Sequence, residues 1–257
     1  MIRIEDLSLA CGKTTILNQI SLSIPKGGIT ALIGPNGAGK SSLLGLISRL
    51  QPLQTGEIMI DDLPVSSTSG RALARKLAIL RQDNHVDNRL TVRELVGFGR
   101  FPHSRGHLTE NDHRIIGESL QLFGLVDMSE RLVETLSGGQ RQRTLVAMAY
   151  CQDTDYLLLD EPLNNLDMNF ASRLMTSLRE IADTFKKTIV TVLHDINYAG
   201  SYADRIIAMR DGQVVADGKP HEIITGPALG RIYGFDIPVT IVDGQPIALP
   251  FRRQSAF

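Results

Sequence analysis

One stretch, Gly34-Pro35-Asn36-Gly37-Ala38-Gly39-Lys40-Ser41, constrains this chain more than any other, because it fits a phosphate-loop pattern between two patterned segments. Apolar Ile29 to Ile33 ahead of it reads as a strand, and Leu43, Leu44 and Ile47 behind it read as a helix. Glycines at these positions let successive backbone N–H groups curl around phosphate oxygens, while the helix start adds positive partial charge. Lys40 would reach the terminal phosphates and Ser41 would bind Mg²⁺, with Asn36, Gly37, Ala38, Gly39 and Ser42 completing the cradle. A Gly-rich turn of no chemical consequence could carry the same letters. The strand before and the helix after argue for the phosphate loop.

A second apolar run, Tyr156 to Leu159, ends in Asp160-Glu161, placing two carboxylates at the end of a buried strand, where open parallel sheets bind ligands. Asp160 is the candidate to hold Mg²⁺, and Glu161 to orient or deprotonate an attacking water. Either carboxylate alone reads more readily as a solvated strand end. Downstream of a phosphate loop, the pair reads as catalytic.

Leu136-Ser137-Gly138-Gly139-Gln140 opens a helix continued by Leu145, Val146, Met148 and Ala149, and so offers a second anion site. The bland alternative is a Ser-capped helix after a Gly turn. One nucleotide does not need two separate phosphate-binding loops from one chain. Ser137, Gly138, Gly139 and Gln140 are therefore expected to serve the nucleotide of another copy.

The rest of the chain fits around these motifs. Short runs at Ile2 to Leu9, Ile20 to Ile24 and Ile58 to Ile60 predict a strand-rich opening. Leu90 to Tyr150 has helical spacing, with Thr109-Glu110-Asn111-Asp112 as a capping box. Thr188 to Leu193 repeats the buried-strand pattern, and Phe170 to Phe185 predicts the crossover helix between it and Tyr156 to Leu159. Asp211-Gly212 and Asp243-Gly244 each predict a hairpin.

Composition narrows the partners. Lys plus Arg number 27 against 28 Asp plus Glu, so no net field draws the molecule onto a polyanion, and nucleic acid is not expected. No apolar run approaches the roughly 20 residues of a membrane span. Two cysteines, Cys11 and Cys151, are too few for a disulfide framework and suit a reducing cytoplasm. His103 and His107 lack a neighbouring Cys or carboxylate to complete a metal set, so their stretch is expected to be a solvated loop.

The phosphate loop, the Leu136 to Gln140 signature and Leu159-Asp160-Glu161-Pro162, in this order and spacing, together resemble an ABC-transporter ATPase. The resemblance implies an α/β fold: a P-loop NTPase core with an antiparallel β subdomain and a helical insertion. Residues 1–83 and 151–257 would form the core with its β subdomain, and 84–150 the helical part. It implies ATP and Mg²⁺ as ligands, a head-to-tail homodimer, an integral-membrane permease and, indirectly, a substrate-binding protein. The expected place is the cytoplasmic face of a bacterial membrane. Carried over by position, Gln82 resembles the glutamine that senses Mg²⁺ and the membrane partner, Asp167 the dimer-contact aspartate and His194 the switch histidine at the γ-phosphate. Lys40, Gln82, Glu161 and His194 are thus the catalytic set, and Ser41, Gln82 and Asp160 the metal set.

Two departures stand out. Cys11 precedes Gly12 where most relatives carry an aromatic that stacks on adenine. Leu163 and Asn164 replace the commoner Thr and Ser after Glu161, at positions not expected to matter for the chemistry.

Within the family, Thr91 to His103, Ala147-Met148-Ala149, His194-Asp195-Ile196-Asn197 and Ile232-Tyr233-Gly234 resemble the ATPases of iron-siderophore, haem and cobalamin importers. The ferric-siderophore branch is the first expectation, haem or cobalamin the alternative, and a non-transport ABC ATPase a distant one. Exposed Phe101 would face the permease, or else anchor the helical insertion from within.

Overall fold

The structure is a computed structural model that describes residues 1–82 and 89–250. Strands β1 (Ile2–Cys11) and β2 (Thr14–Ile24) form an antiparallel hairpin, and β3 (Gly28–Ile33) runs into the loop that precedes α1 (Lys40–Ile47). Next come β4 (Thr55–Ile60), β5 (Leu63–Pro64), α2 (Gly70–Lys76) and β6 (Leu77–Leu80). A helical stretch follows: α3 (Val92–Phe98), the single turn α4 (Phe101–Ser104), α5 (Glu110–Leu122) and α6 (Gly138–Cys151). Strand and helix then alternate through β7 (Tyr156–Asp160), α7 (Met168–Thr184), β8 (Thr188–Val192), α8 (Ile196–Tyr202), β9 (Arg205–Arg210) and β10 (Gln213–Gly218). Helices α9 (Pro220–Ile223) and α10 (Gly226–Tyr233) and the hairpin β11 (Val239–Val242) and β12 (Gln245–Ala248) end the described chain.

The central sheet has the order β10-β9-β3-β8-β7-β6, parallel except for β10. Beside it lies an antiparallel sheet, β2-β1-β4-β5. The apolar runs of the central strands are continuous because both faces are covered. Side-chain alternation then sorts them into two cores. Ile29, Ala31 and Ile33 of β3, with Leu157 and Leu159 of β7, face the helical layer and α7. Leu32, Leu158, Val190 and Val192 face α1 and the antiparallel sheet. The α/β architecture, the strand-rich opening and the helical stretch after residue 89 all match the sequence reading.

Local signals also hold. Asp211 and Gly212 take φ of 50° and 74°, and Asp243 and Gly244 take 49° and 78°, the left-handed pair that a two-residue hairpin turn requires. Thr109 caps α5 through the backbone N–H of Asp112, and Asp112 returns a bond to the Thr109 N–H. Helix α7 begins two residues before the expected Phe170, because the Asp167 carboxylate accepts the Phe170 N–H and sets the helix start there.

Candidate active site

Parallel strands deliver their following loops to one edge of the sheet, and the candidate residues come from four such loops. The phosphate loop follows β3, Gln82 follows β6, Glu161 follows β7, and His194 stands two residues past the end of β8. Together they line one cleft of about 460 Å³ with Ile16, Asn36 to Ser42 and Lys40 on its walls.

Glycine is obligatory at the turn into the loop. A Cβ on Gly34, whose φ is 137°, would lie 2.0 Å from the Met209 carbonyl oxygen. Lys40 is 5% exposed, and its Nζ donates to the carbonyls of Gly34 (2.8 Å) and Pro35 (2.9 Å), which fixes the ammonium over the loop. Burial lowers its pKa from the ordinary lysine value, against the pull of Glu161 and Asp160. An anionic ligand at this position would offset that desolvation.

Ser41 Oγ donates to Asp160 Oδ1 at 2.9 Å, so the first turn of α1 and the end of β7 meet at a hydroxyl and a carboxylate. Asp160 is 7% exposed; burial raises its pKa, opposed by the Ser41 bond and by the charges of Lys40 and His194. Such a buried, oxygen-only pair suits a small hard cation.

Glu161 takes φ of 52°, a left-handed turn that swings its side chain from the strand end into the cleft. Its Oε1 lies 2.6 Å from His194 Nε2. Its Oε2 accepts from Gln82 Nε2 at 2.8 Å and from Asn164 Nδ2 at 2.5 Å. Asn164, read from the sequence as having no bearing on the chemistry, is therefore a direct partner of the candidate base. The three-residue spacing in a tight turn was the available signal, since the Asn164 N–H bonds back to the Glu161 carbonyl at 3.2 Å.

Ser137 caps α6 in the expected capping box, with the Gln140 N–H bonding its Oγ and its own N–H bonding Gln140 Oε1. Ser137 and Gly138 are exposed, and Ser137 to Gln140 take no part in lining the phosphate-loop cleft. They pack instead on the loop after Glu161. A Cβ on Gly139 would be 3.3 Å from Leu166 Cδ2, and Gln142 Nε2 donates to the Pro162 carbonyl at 3.2 Å. Asp167, exposed at the start of α7, faces solvent alongside them.

Two expectations change, those for His103 and Phe101. Cys11 is exposed at the end of β1, and the side chain that reaches the cleft from this hairpin is Ile16. His103 does not sit in a solvated loop: it lies in α4, half-buried, with Nε2 2.9 Å from the Gln152 carbonyl, while His107 is exposed. Phe101 is 61% exposed, which rules out the reading of it as an internal anchor. It lines an apolar groove of about 410 Å³ with Phe98, Leu108 and Ile116. The residues directly after Gln82, also expected at this groove, lie outside the described residues. No helix among the described residues is long and apolar enough to cross a membrane.

Comparison with known proteins places this geometry in context. A family pattern described as ABC transporter matches residues 17–164. The chain is 44% identical over 251 residues to the petrobactin import ATP-binding protein YclP of Bacillus subtilis (strain 168), covering 98% of this chain and all of the relative. It is 38% identical to the ferric enterobactin transport ATP-binding protein FepC of Escherichia coli (strain K12), covering 98% and 94%. Among solved structures, a dimeric ATP-binding cassette in a post-hydrolysis state with ADP and Pi superposes with TM-score 0.78 at 27% identity, covering 86% of this chain and 99% of the other.

Proposed function

This chain belongs to the ABC transporter family as an ATPase, and from that premise we propose that it drives uptake of a ferric siderophore through a separate membrane permease. The observation that carries the enzymatic part is the convergence of Lys40, Ser41 and the triply bonded Glu161 on one cleft, with Asp160 bonded to Ser41 behind it.

In this reading the backbone of Asn36 to Ser42 and the Lys40 ammonium hold the phosphates of ATP. Ser41, Asp160 and Gln82 would hold Mg²⁺, which when bound neutralises phosphate charge. Glu161 accepts a proton from the attacking water, and Gln82, Asn164 and His194 keep its carboxylate aimed. Ser137 to Gln140 and Asp167 of a second copy would close over the nucleotide in a head-to-tail homodimer, since none of them lines their own chain's cleft and Ser137, Gly138 and Asp167 are exposed. The dimeric state of the solved cassette supports this.

Residues 1–83 and 151–257 act as the nucleotide-binding core and 84–150 as the helical part, which carries the groove around Phe101. That groove receives the permease, and the chain works peripherally at the cytoplasmic membrane face. Siderophore cargo is supported by the names of the relatives, which are ATP-binding proteins of petrobactin import and of ferric enterobactin transport. The test is genetic. Deleting the gene is expected to abolish growth on one ferric siderophore while growth on abundant free iron persists. Normal use of every siderophore, with a defect in haem or cobalamin uptake instead, would overturn the cargo.

A further inference from the structure

Tyr233, the last residue of α10, carries a buried hydroxyl with which no group among the described residues completes a hydrogen bond. Buried phenol oxygens usually find a partner. Tyr233 is not a wall of the phosphate cleft, yet its neighbour is the first residue of the phosphate loop.

The packing around β9 puts it there. Gly34 stands one residue beyond the last register pair of β3 with β9, Ile33 with Ala208, and a Cβ on it would come within 2.0 Å of the Met209 carbonyl oxygen. Arg210, the next residue of β9, donates from Nη1 to the Arg231 carbonyl at 2.5 Å, and a Cβ on Gly234 would lie 3.4 Å from its Nη2. Strand β9 thus grips the C-terminal end of α10 one residue away from where it supports the phosphate loop. The helix stops there because Gly234 takes a left-handed φ of 82° and returns its N–H to the Gly230 carbonyl at 2.8 Å. The Tyr233 ring packs on the same core as Ile29, Ala31 and Ile33 of β3. Burial pushes the phenol pKa up to about 12, opposed by the Gly34 backbone and helped by the charge of Asp195. The Gly34 backbone is therefore near enough to act on the hydroxyl without closing a bond to it.

Lys40 holds Gly34 from its other side, since its Nζ donates to the Gly34 carbonyl at 2.8 Å and to that of Pro35 at 2.9 Å. An ammonium has three donors, so two are already engaged on the loop itself. A terminal phosphate competes for them, because a charge-assisted bond to an anion is stronger than one to a neutral carbonyl. As Lys40 turns towards phosphate, Gly34 loses the anchor on its carbonyl, and a glycine has more conformational freedom than any other residue.

We propose that Tyr233 is a positioning residue for the phosphate loop, its hydroxyl accepting the Gly34 N–H once bound phosphate has drawn the Lys40 ammonium away from the Gly34 carbonyl. This rests on the nucleotide reading of the cleft and adds to it a residue from the C-terminal part of the chain. The unmade bond of the nucleotide-free protein becomes affinity for the ligand, because the penalty of burying a lone hydroxyl is relieved only in the bound state.

The test uses Tyr233→Phe in the full-length chain, which keeps the ring and removes only the oxygen. Mg-ATP affinity by equilibrium titration is expected to fall about fivefold, the size of one ordinary hydrogen bond, and in ATPase assays the loss should appear more in KM than in kcat. The nucleotide-free Tm should be no lower than that of wild type, since the lost hydroxyl has no partner there. Hydrogen exchange of the Gly34 amide, followed by NMR, is the second measurement. Mg-ATP should slow it about fivefold more in wild type than in Tyr233→Phe. Wild-type affinity together with wild-type protection of the Gly34 amide in Tyr233→Phe would overturn the proposal. So would weaker affinity accompanied by a lower nucleotide-free Tm and unaltered Gly34 protection, the signature of a lost packing contact. If Tyr233→Phe does not fold, the wild-type protein decides: a Gly34 amide slowed about fivefold or more by Mg-ATP supports the role, and one that exchanges equally fast with and without it overturns the role. A wild-type chain that does not bind Mg-ATP would overturn the nucleotide reading and this role with it, whereas the other outcomes leave that reading intact.

Discussion

Nε2 of His194 stands 2.6 Å from Oε1 of Glu161, tying the end of β8 to the end of β7 across the mouth of the phosphate cleft. The contact leaves Glu161 oriented by groups from three loops, because Gln82 and Asn164 hold the other oxygen. Glu161→Gln keeps the shape but cannot accept a proton. It is expected to bind ATP and to lower turnover by about 100-fold or more. With hydrolysis blocked, the dimer should persist, and gel filtration in Mg-ATP that shows only monomer would count against the sandwich arrangement.

Asn164→Ala tests the contact that the sequence did not reveal. It removes one of the two donors to Glu161 Oε2, and Asn164 is not itself a wall of the phosphate cleft. The expected result is a kcat lowered severalfold with little change in the KM for ATP, the pattern of an interaction that matters after binding. An unchanged kcat would return Asn164 to a turn residue.

These two residues mark where sequence reading succeeds and where it stops. Glu161 was legible because a carboxylate pair after a buried strand has few other uses downstream of a phosphate loop. The strands themselves were legible because β3, β7 and β8 bury both faces, which leaves continuous apolar runs. Asn164 was not, because its reach depends on the left-handed turns at Glu161 (52°) and Asn165 (62°), which no pattern of letters specifies for residues other than glycine. Phe101 was ambiguous for a different reason: helical spacing says which residues share a face, not whether that face is covered. Ile16 was missed because it enters the cleft from a different sheet.

Lys40→Met should separate stability from function. The wild-type ammonium is buried and its pKa is lowered, so folding works against its proton at neutral pH, and this penalty fades as pH rises through the lowered value and is gone above the ordinary value of 10.5. Removing the charge is expected to leave the Tm of the nucleotide-free protein no lower than that of wild type. Mg-ATP should raise the wild-type Tm by mass action but not that of the variant, and hydrolysis should be lost. A wild-type turnover in Lys40→Met would contradict the site.

A pH-dependent contribution to stability is expected from the Arg100–Asp112 pair, whose charged atoms are 2.8 Å apart with side chains 4% and 5% exposed. Burial opposes the Asp112 charge, but bonds from Thr109 and Arg100 outweigh it and bring the pKa to about 2 from 3.8. Since the folded pKa is the lower one, the stabilisation is complete above about pH 4 and disappears as pH falls towards 2. Asp112→Asn leaves Arg100 buried without its counter-charge and should cost about 3 kcal/mol at neutral pH. Denaturant unfolding of both proteins should find that this gap narrows below pH 4, and a constant gap would mean the charge is not its source.

Recognition of the base is the weakest part of the site. Cys11 is exposed, and the contribution from the β1–β2 hairpin to the cleft is the aliphatic Ile16. A branched aliphatic side chain can cover one edge of a purine but offers no flat face for stacking. Stacking of a base on an aromatic is worth on the order of 1 kcal/mol or more, and it favours neither adenine nor guanine by hydrogen bonding. The wild-type chain is therefore expected to bind ATP loosely and to discriminate poorly against GTP. Cys11→Tyr should tighten both nucleotides by about fivefold to tenfold, because the new ring supplies stacking and no base-specific bond. Ile16→Ala in the wild-type background should weaken both, and by less in the presence of the new tyrosine if the two side chains share the base. Equilibrium titration with fluorescent ATP and GTP analogues measures all four proteins. If Cys11→Tyr changes neither affinity, the hairpin does not contact the base at all, and its place in the site is limited to Ile16 beside the phosphate loop.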